Sequence, residues 1–248
     1  MESGAHPVAL VVALDEEARG VMRHLVPAAV SSPSLAIWTG EIEGVPVVLV
    51  VGGVGKVAAA LATQFLCDAY QPRFTISFGL AGAAHSDGQR GRLIIASGAV
   101  QHDMDARPLT AARGVIPSLR NAIFAADEKL SQGLRIATEQ TTADPETVAS
   151  GLVLTGDQII TSGGVRDAVL REFPDGLCFD METAAVAQVA QQNDIPWAGL
   201  RVISDAADET FDLDQVISFG VNTAADLFDR IISAFLTGQP ALDKQGRI

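Results

Sequence analysis

The chain of 248 residues has few cysteines, histidines and positive charges. Its two cysteines, Cys67 and Cys178, stand far apart in apolar surroundings, which predicts buried, reduced thiols and not a disulfide. The four histidines are scattered, and no His-x-x-x-His or Cys-x-x-Cys spacing occurs, so no metal site is predicted. The formal net charge of -13 disfavours binding to nucleic acid or to an anionic membrane surface.

Long apolar runs are also absent from the sequence. No run reaches the length of a membrane-spanning helix, and the first residues lack the pattern of a signal peptide, so a cytoplasmic protein is expected. The Gly-x-Ser-x-Gly motif typical of many serine hydrolases does not occur. Because 48% of the residues are hydrophobic, the chain can bury one large core.

Strand-like and helix-like segments alternate along the chain. The run 7–14 is apolar throughout, which is typical of a strand buried on both faces. Two apolar segments around Gly44 predict a hairpin over 36–43 and 45–51. Helical periodicity predicts helices over 18–25, 57–70, 118–138 and 212–236. The small residues of 79–84 predict a turn. The sequence therefore predicts one α/β domain over 7–237 with a parallel or mixed sheet, and flexible termini over 1–6 and 238–248.

Acidic or glycine-rich segments follow several predicted strands. They are Asp15-Glu16-Glu17, Gly52 to Lys56, Asp180-Met181-Glu182 and Ser204-Asp205. Strand ends at one edge of a sheet converge on ligands, and carboxylates gathered there raise each other's pKa values. Paired carboxylates are what glycosidic-bond cleavage requires, since one acts as an acid on the leaving group and another as a base on water.

Two further motifs have competing interpretations. The cluster Gly52 to Lys56 is either a tight strand-to-helix turn or a ligand contact, because it lacks the Walker A spacing and the dinucleotide-binding fingerprint. The segment His102-Asp103 with Asp105 could ligate a cation, but a hydrogen-bonded loop pair is the favoured interpretation. The segment 106–117 is predicted to be an irregular loop because it holds two prolines, a glycine and scattered arginines.

A series of short motifs in order resembles the purine nucleoside phosphorylase / uridine phosphorylase superfamily, and most of all the bacterial 5′-methylthioadenosine/S-adenosylhomocysteine nucleosidases. The motifs are Ala13 to Glu17, Gly53 to Ala59, Gly79 to Gly82, Gln101 to Asp103, Thr155 to Asp157, Asp180 to Ala185 and Arg201 to Asp205. The resemblance implies a central mixed, partly barrel-like sheet surrounded by helices. It also implies a homodimer in which the loop 106–117 reaches the partner's site, and it calls for no cofactor or metal.

The resemblance implies a role for each site residue. Asp205 matches the acid that protonates or hydrogen-bonds purine N7, and Glu17 matches the base that activates water. Glu182 matches the glutamate that binds the ribose hydroxyls, Met181 packs against the sugar, and Arg201 orients the water and the carboxylates. The substrate-binding residues are completed by Ile159 and Ile160 at the base, Val54 and Phe211 on the 5′ side, and Leu80. These roles lead us to expect a raised pKa for Asp205 and an ionised Glu17.

Two positions depart from the family pattern: Leu80 replaces a serine that helps to hold the water, and Ile159 replaces an aromatic residue that stacks on the purine. Acids at the end of the first strand would repel phosphate, which favours water as the nucleophile. The implied reaction is hydrolysis of the N-ribosidic bond of 5′-methylthioadenosine or S-adenosylhomocysteine, with release of adenine. The alternatives are phosphorolysis, a nucleosidase for another nucleoside (futalosine or a hopanoid-linked adenosine), and a weakly catalytic nucleoside-binding protein.

Overall fold

The computed structural model describes residues 6–29, 35–85 and 88–238. The two segments predicted to be flexible termini lie outside the described residues, except for His6 and Gly238. The described part of the chain contains ten strands: β1 Val8–Val12, β2 Leu25–Pro27, β3 Ala36–Ile42, β4 Val45–Val51, β5 Thr75–Ala83, β6 Leu93–Gln101, β7 Ile123–Ala125, β8 Val148–Thr155, β9 Gly176–Asp180 and β10 Trp197–Asp205. Its α-helices are α1 Asp15–Met22, α2 Lys56–Tyr70, α3 Glu128–Thr141, α4 Gly163–Glu172, α5 Thr183–Gln192, α6 Leu213–Phe219 and α7 Ala225–Thr237.

Five of the strands close into a mixed barrel. The order is β10-β6-β8-β9-β5, and β5 pairs again with β10. β10 runs parallel to β5 and antiparallel to β6. The sheet continues outward from β5 through β1, β4, β3 and β2, and β7 pairs with β6. The predicted mixed, partly barrel-like sheet surrounded by helices is therefore confirmed.

β1 and β10 are buried along nearly their whole length, and most of their side chains are apolar. All five residues of β1 are buried, and its alternate side chains enter two different hydrophobic clusters. β10 is buried along its length except at Asp205, its last residue. Cys67 and Cys178 are buried and unpaired, as predicted. No helix within the described residues is both long enough and apolar enough to cross a membrane.

The predicted helix over 118–138 is wrong in its first half. Ile116 and Asn121 form a β-bridge, and β7 pairs with the edge of the barrel at β6. α3 begins only at Glu128, where the side chain of Asp127 accepts a hydrogen bond from the Leu130 amide at 2.9 Å. Long-range pairing with β6 therefore overrides the local helical periodicity.

The predicted small-residue turn over 79–84 is also wrong, because most of this segment continues β5. Its glycines allow close approach of acids from neighbouring elements. A Cβ at Gly79 would lie 2.9 Å from Glu17 Oε1, and one at Gly82 would lie 3.1 Å from Asp205 Oδ1. The small residues are thus needed for packing against carboxylates, and not for a change of chain direction.

Two further predicted helices differ from the helices in the structure. The first helix begins at Asp15 and not at residue 18, because the Glu17 side chain accepts a hydrogen bond from the Leu14 amide and stabilises the first turn. The helix predicted over 212–236 is divided into α6, a wider π-helical turn at Gly220–Ala224, and α7. The wider turn places Gly220 against the side chain of Leu80.

Candidate active site

A cavity of about 280 Å³ lies where the ends of β1, β5, β9 and β10 meet. β5 and β9 are antiparallel, and their carboxyl ends pair at Gly82 and Phe179. The cavity brings together nine of the ten site residues predicted from the sequence: Glu17, Val54, Leu80, Ile159, Ile160, Met181, Glu182, Asp205 and Phe211. Arg201 lies behind it, on β10.

Glu17 projects from the first turn of α1 and is held by two backbone amides. Its Oε1 accepts from the Leu80 amide at 2.8 Å, and its Oε2 accepts from the Leu14 amide at 3.0 Å. Burial raises the pKa of Glu17 above its ordinary value, whereas the two amides and the charge of Arg201 oppose that rise. The result is a carboxylate more basic than usual, with hydrogen bonds that favour its ionised form.

Glu182 stands at the start of α5 and is held by a single backbone amide. Its Oε1 accepts from the Gly55 amide at 2.9 Å. Burial raises the pKa of Glu182, the negative charge of Asp180 raises it further, and the Gly55 amide and Arg201 act in the opposite direction. A buried carboxylate with unused acceptor capacity is suited to binding hydroxyl groups or a developing positive charge.

The glycine-rich turn before α2 supplies the amide that holds Glu182. Gly53 and Gly55 have φ angles of +90° and +101°, a region that favours glycine. The next amide, that of Lys56, donates to Asp157 Oδ1 at 2.8 Å. Since protein carboxylates occupy both amides, the structure favours a tight turn over a phosphate-binding loop, although Val54 within the turn lines the cavity.

Asp205 ends β10, next to an irregularity in the pairing with β5. Its Oδ2 accepts from the Ser204 hydroxyl at 2.7 Å, and its Oδ1 accepts from the Ala207 amide at 2.9 Å. These bonds fix the carboxyl group at the wall of the cavity that Ile160 also lines.

Arg201 is buried in the middle of β10 and is paired with Asp180, to which the sequence analysis gave no role. Arg201 Nε donates to Asp180 Oδ2 at 2.9 Å, and Nη2 donates to Ser77 Oγ at 2.7 Å. Asp180 also accepts from the Thr183 amide at 2.9 Å and from the Thr155 hydroxyl at 2.5 Å. An arginine within an apolar strand requires a buried acid. That signal in the sequence could have identified the pair.

A second cavity, of about 10 Å³, separates Arg201 from the main one, and its lining includes Glu17, Ser77, Glu182 and Arg201. This volume corresponds to about one water molecule. The positive charge of Arg201 favours the ionised form of both glutamates and partly offsets the rise in their pKa values that burial causes. The predicted role of Arg201 in orienting water remains a prediction.

The opposite side of the main cavity is apolar and more open. It is formed by Phe211 and by the α6 residues Leu213, Val216 and Ile217. α6, whose residues are all described, has no buried side chain. Ile159 is 51% exposed at the cavity edge.

The acids considered for a cation site are already engaged by basic groups. Asp103 Oδ1 accepts from Lys56 Nζ at 2.6 Å. Asp105 Oδ2 accepts from Arg107 Nη2 at 2.5 Å. Among the described residues neither ring nitrogen of His102 has a hydrogen-bond partner. The two aspartates therefore bond to basic groups and not to His102, and the favoured hydrogen-bonded pair with His102 is not formed. Within the described residues, no group of three or more His, Cys, Asp or Glu side chains is placed to hold a metal ion.

The chain is similar to known proteins over most of its length. The model of the phosphorylase superfamily matches residues 7–237. The 5′-methylthioadenosine/S-adenosylhomocysteine nucleosidase of Anoxybacillus flavithermus is 33% identical over 81% of this chain and 85% of its own, and that of Bacillus subtilis is 37% identical over 68% and 72%. The solved structure of the Neisseria meningitidis nucleosidase with methylthio-immucillin-A has a TM-score of 0.87 and 27% identity, and the match covers 94% of this chain and 100% of that one. The chain therefore belongs to the phosphorylase superfamily, as its motifs implied.

Proposed function

We propose that this protein is an N-glycosyl hydrolase that cleaves the N-ribosidic bond of 5′-methylthioadenosine, S-adenosylhomocysteine or both, and releases adenine. The observation that carries the proposal is the placement of Glu17, Glu182 and Asp205, from three different strand ends, on one cavity. The names of the relatives and the bound methylthio-immucillin-A of the Neisseria meningitidis enzyme support it.

Each carboxyl group has a distinct part in the proposed reaction. The bond between C1′ and N9 breaks, and its electron pair moves into the purine as Asp205 donates a proton or hydrogen bond to N7. Glu182 accepts hydrogen bonds from the ribose hydroxyls while positive charge develops on the sugar. Water then attacks C1′, and Glu17 accepts the proton that the water loses.

The electrostatics of the cavity support water over phosphate as the nucleophile. Glu17 and Glu182 stand where a phosphate dianion would have to approach C1′, and Arg201 behind them is already paired with Asp180. The turn amides of Gly55 and Lys56 are bound to protein carboxylates. A neutral water molecule avoids the repulsion that a phosphate would meet beside the two glutamates.

A homodimer is the proposed assembly, acting in the cytoplasm in methionine salvage. On α2, Val57 is 81% exposed and Leu61 is 53% exposed, one helical turn apart. Val54, at the start of this apolar face, is 50% exposed and also lines the cavity. A second copy that covered this face would therefore also narrow the cavity. Light scattering coupled to size-exclusion chromatography should give twice the mass of the chain.

The decisive experiment is to incubate the protein with 5′-methylthioadenosine or S-adenosylhomocysteine, with and without phosphate, and to follow the release of free adenine. We expect release that does not depend on phosphate. Release only with phosphate would establish phosphorolysis. Turnover of futalosine but not of the adenosines would identify a different nucleosidase, and tight binding of the nucleoside without turnover would indicate a binding protein.

A further inference from the structure

Lys56, the first residue of α2, is tied to two acids outside the catalytic cavity. Its side chain is 17% exposed, and its Nζ lies 2.6 Å from Asp103 Oδ1 and 3.8 Å from Asp157 Oδ2. The described residues include one other lysine, Lys129, which is exposed on α3. Lys56 is thus set apart by its burial and by its paired acids.

Backbone amides complete a ring of hydrogen bonds around Lys56. Its own amide donates to Asp157 Oδ1 at 2.8 Å, and the Asp157 amide donates to Asp103 Oδ2 at 2.9 Å. Burial would raise the pKa of Asp103, but hydrogen bonds from Lys56 and the Asp157 amide outweigh it and hold that pKa below its usual range. The ring therefore contains an ion pair between the Asp103 carboxylate and the Lys56 ammonium group. It joins three chain segments: the start of α2, the residues after β6 and the residues after β8.

Two of the joined segments contribute directly to the cavity. The residue before Lys56 is Gly55, whose amide holds Glu182 Oε1 at 2.9 Å. The residues after Asp157 are Gln158, Ile159 and Ile160, which line the cavity where the base is proposed to bind. The approach between the segments is close, because a Cβ at Gly55 would lie 3.1 Å from Asp157 Oδ1. A shift of Lys56 would therefore move both the Gly55 amide and the 158–160 wall.

We propose that Lys56 is a positioning residue for substrate binding: through Asp103 and Asp157 it aims the Gly55 amide at Glu182 and fixes the 158–160 segment. This proposal rests on the proposed function, since it assigns Glu182 to the ribose and the 158–160 segment to the base. Lys56 itself does not touch the substrate. Its loss therefore weakens binding without removing a group that takes part in bond cleavage.

The test compares Lys56→Met with the matched control Lys129→Met. Since hydrogen bonds to charged groups are worth more than neutral ones, we expect Lys56→Met to raise KM by about tenfold while kcat changes by less than about threefold. Lys56→Arg, which keeps the charge, should recover most of the loss, and Lys129→Met should behave like the wild type. An unchanged KM in a folded Lys56→Met variant would overturn the proposal.

A double-mutant cycle distinguishes positioning from general destabilisation. In a Glu182→Ala background, which removes the acceptor of the Gly55 amide, the effect of Lys56→Met on KM should fall to less than about threefold, because the contact that Lys56 positions is then absent. Fully additive effects would contradict the proposed route through Glu182. If Lys56→Met does not fold, Asp103→Asn carries the test, since it weakens the ion pair at nearly constant size; it should raise KM in the same direction.

A crystal structure of Lys56→Met tests the proposal without reference to turnover. We expect the separation of Gly55 N and Glu182 Oε1 to lengthen from 2.9 Å beyond hydrogen-bonding distance, about 3.5 Å. A separation that stays unchanged would overturn the proposal even if the wild type has no nucleosidase activity. Failure of the proposed function, in contrast, would appear as the absence of adenine release from the wild type.

Discussion

The cavity has two walls that are built in different ways. The acid wall consists of Glu17, Glu182 and Asp205, each of which accepts one or two backbone amide hydrogen bonds. The apolar wall consists of Ile159, Phe211 and the α6 residues Leu213, Val216 and Ile217. The acids of the acid wall stand at or shortly after the ends of buried strands, whereas α6 buries no side chain and Ile159 is half exposed.

This difference separates the proposed chemistry from substrate selection. Preorganised charges act best on rigid elements, where no reorganisation is needed during the reaction. The buried strand ends and the backbone amides that hold the three carboxyl groups provide that rigidity for the acid wall. The apolar wall has fewer constraints, and the departures from the family pattern, at Leu80 and Ile159, both line the cavity outside the set of proposed catalytic acids. Changes at Glu17 and Asp205 should therefore affect turnover, and changes in the apolar wall should affect affinity.

The largest effect is expected for Asp205→Asn in the acid wall. It removes the proposed proton donor but keeps the size of the side chain, so kcat should fall by about 10²- to 10⁴-fold with little change in KM. Steady-state adenine release measures both constants. The matched control is Asp167→Asn, whose side chain is 59% exposed and whose activity should equal that of the wild type. An unchanged kcat in Asp205→Asn would refute the role of Asp205 as an acid.

The second prediction concerns the pH dependence that Glu17 imposes. Burial raises the pKa of Glu17 above its ordinary value of 4.5, and the proposed base acts only when it is ionised. Activity should therefore be complete above that raised pKa, and kcat/KM should fall about tenfold per pH unit below it. The acid limb of the profile should lie above pH 4.5. Residual activity of Glu17→Gln should lack this limb, and an unchanged limb in that variant would assign it to another group.

The smallest effect is expected in the apolar wall. Ile159→Phe restores an aromatic face at the edge of the cavity, and such contacts contribute about 0.5–1.5 kcal/mol beyond area burial. KM should therefore fall by about two- to tenfold, with kcat nearly constant. The control is Ile136→Phe on α3, because Ile136 is 47% exposed and so resembles Ile159 in exposure but lies away from the cavity. A large change in kcat for Ile159→Phe would contradict the proposal that the apolar wall affects only affinity.

Local patterns predicted much of the fold because the buried strands are long, apolar and separated by helical segments. The prediction failed where long-range pairing decides the structure. The segment 79–84 looks like a turn from its glycines, but its residues lie in β5 against Glu17 and Asp205. Within the segment 118–138, residues 123–125 form β7 and pair with β6, a strand that lies earlier in the chain. Neither partner is visible in a local window.

The sequence by itself determined the α/β class, the family resemblance and the strand ends at which the acids stand. Only the tertiary structure decided how those acids differ. Asp180 and Glu182 are two residues apart and carry the same functional group. Asp180 is paired with the positive charge of Arg201, whereas Glu182 accepts a single hydrogen bond from the Gly55 amide. Burial and the charged partner fix the behaviour of a carboxylate, and both come from strands distant in the sequence. The same holds for Lys56, whose paired acids follow β6 and β8.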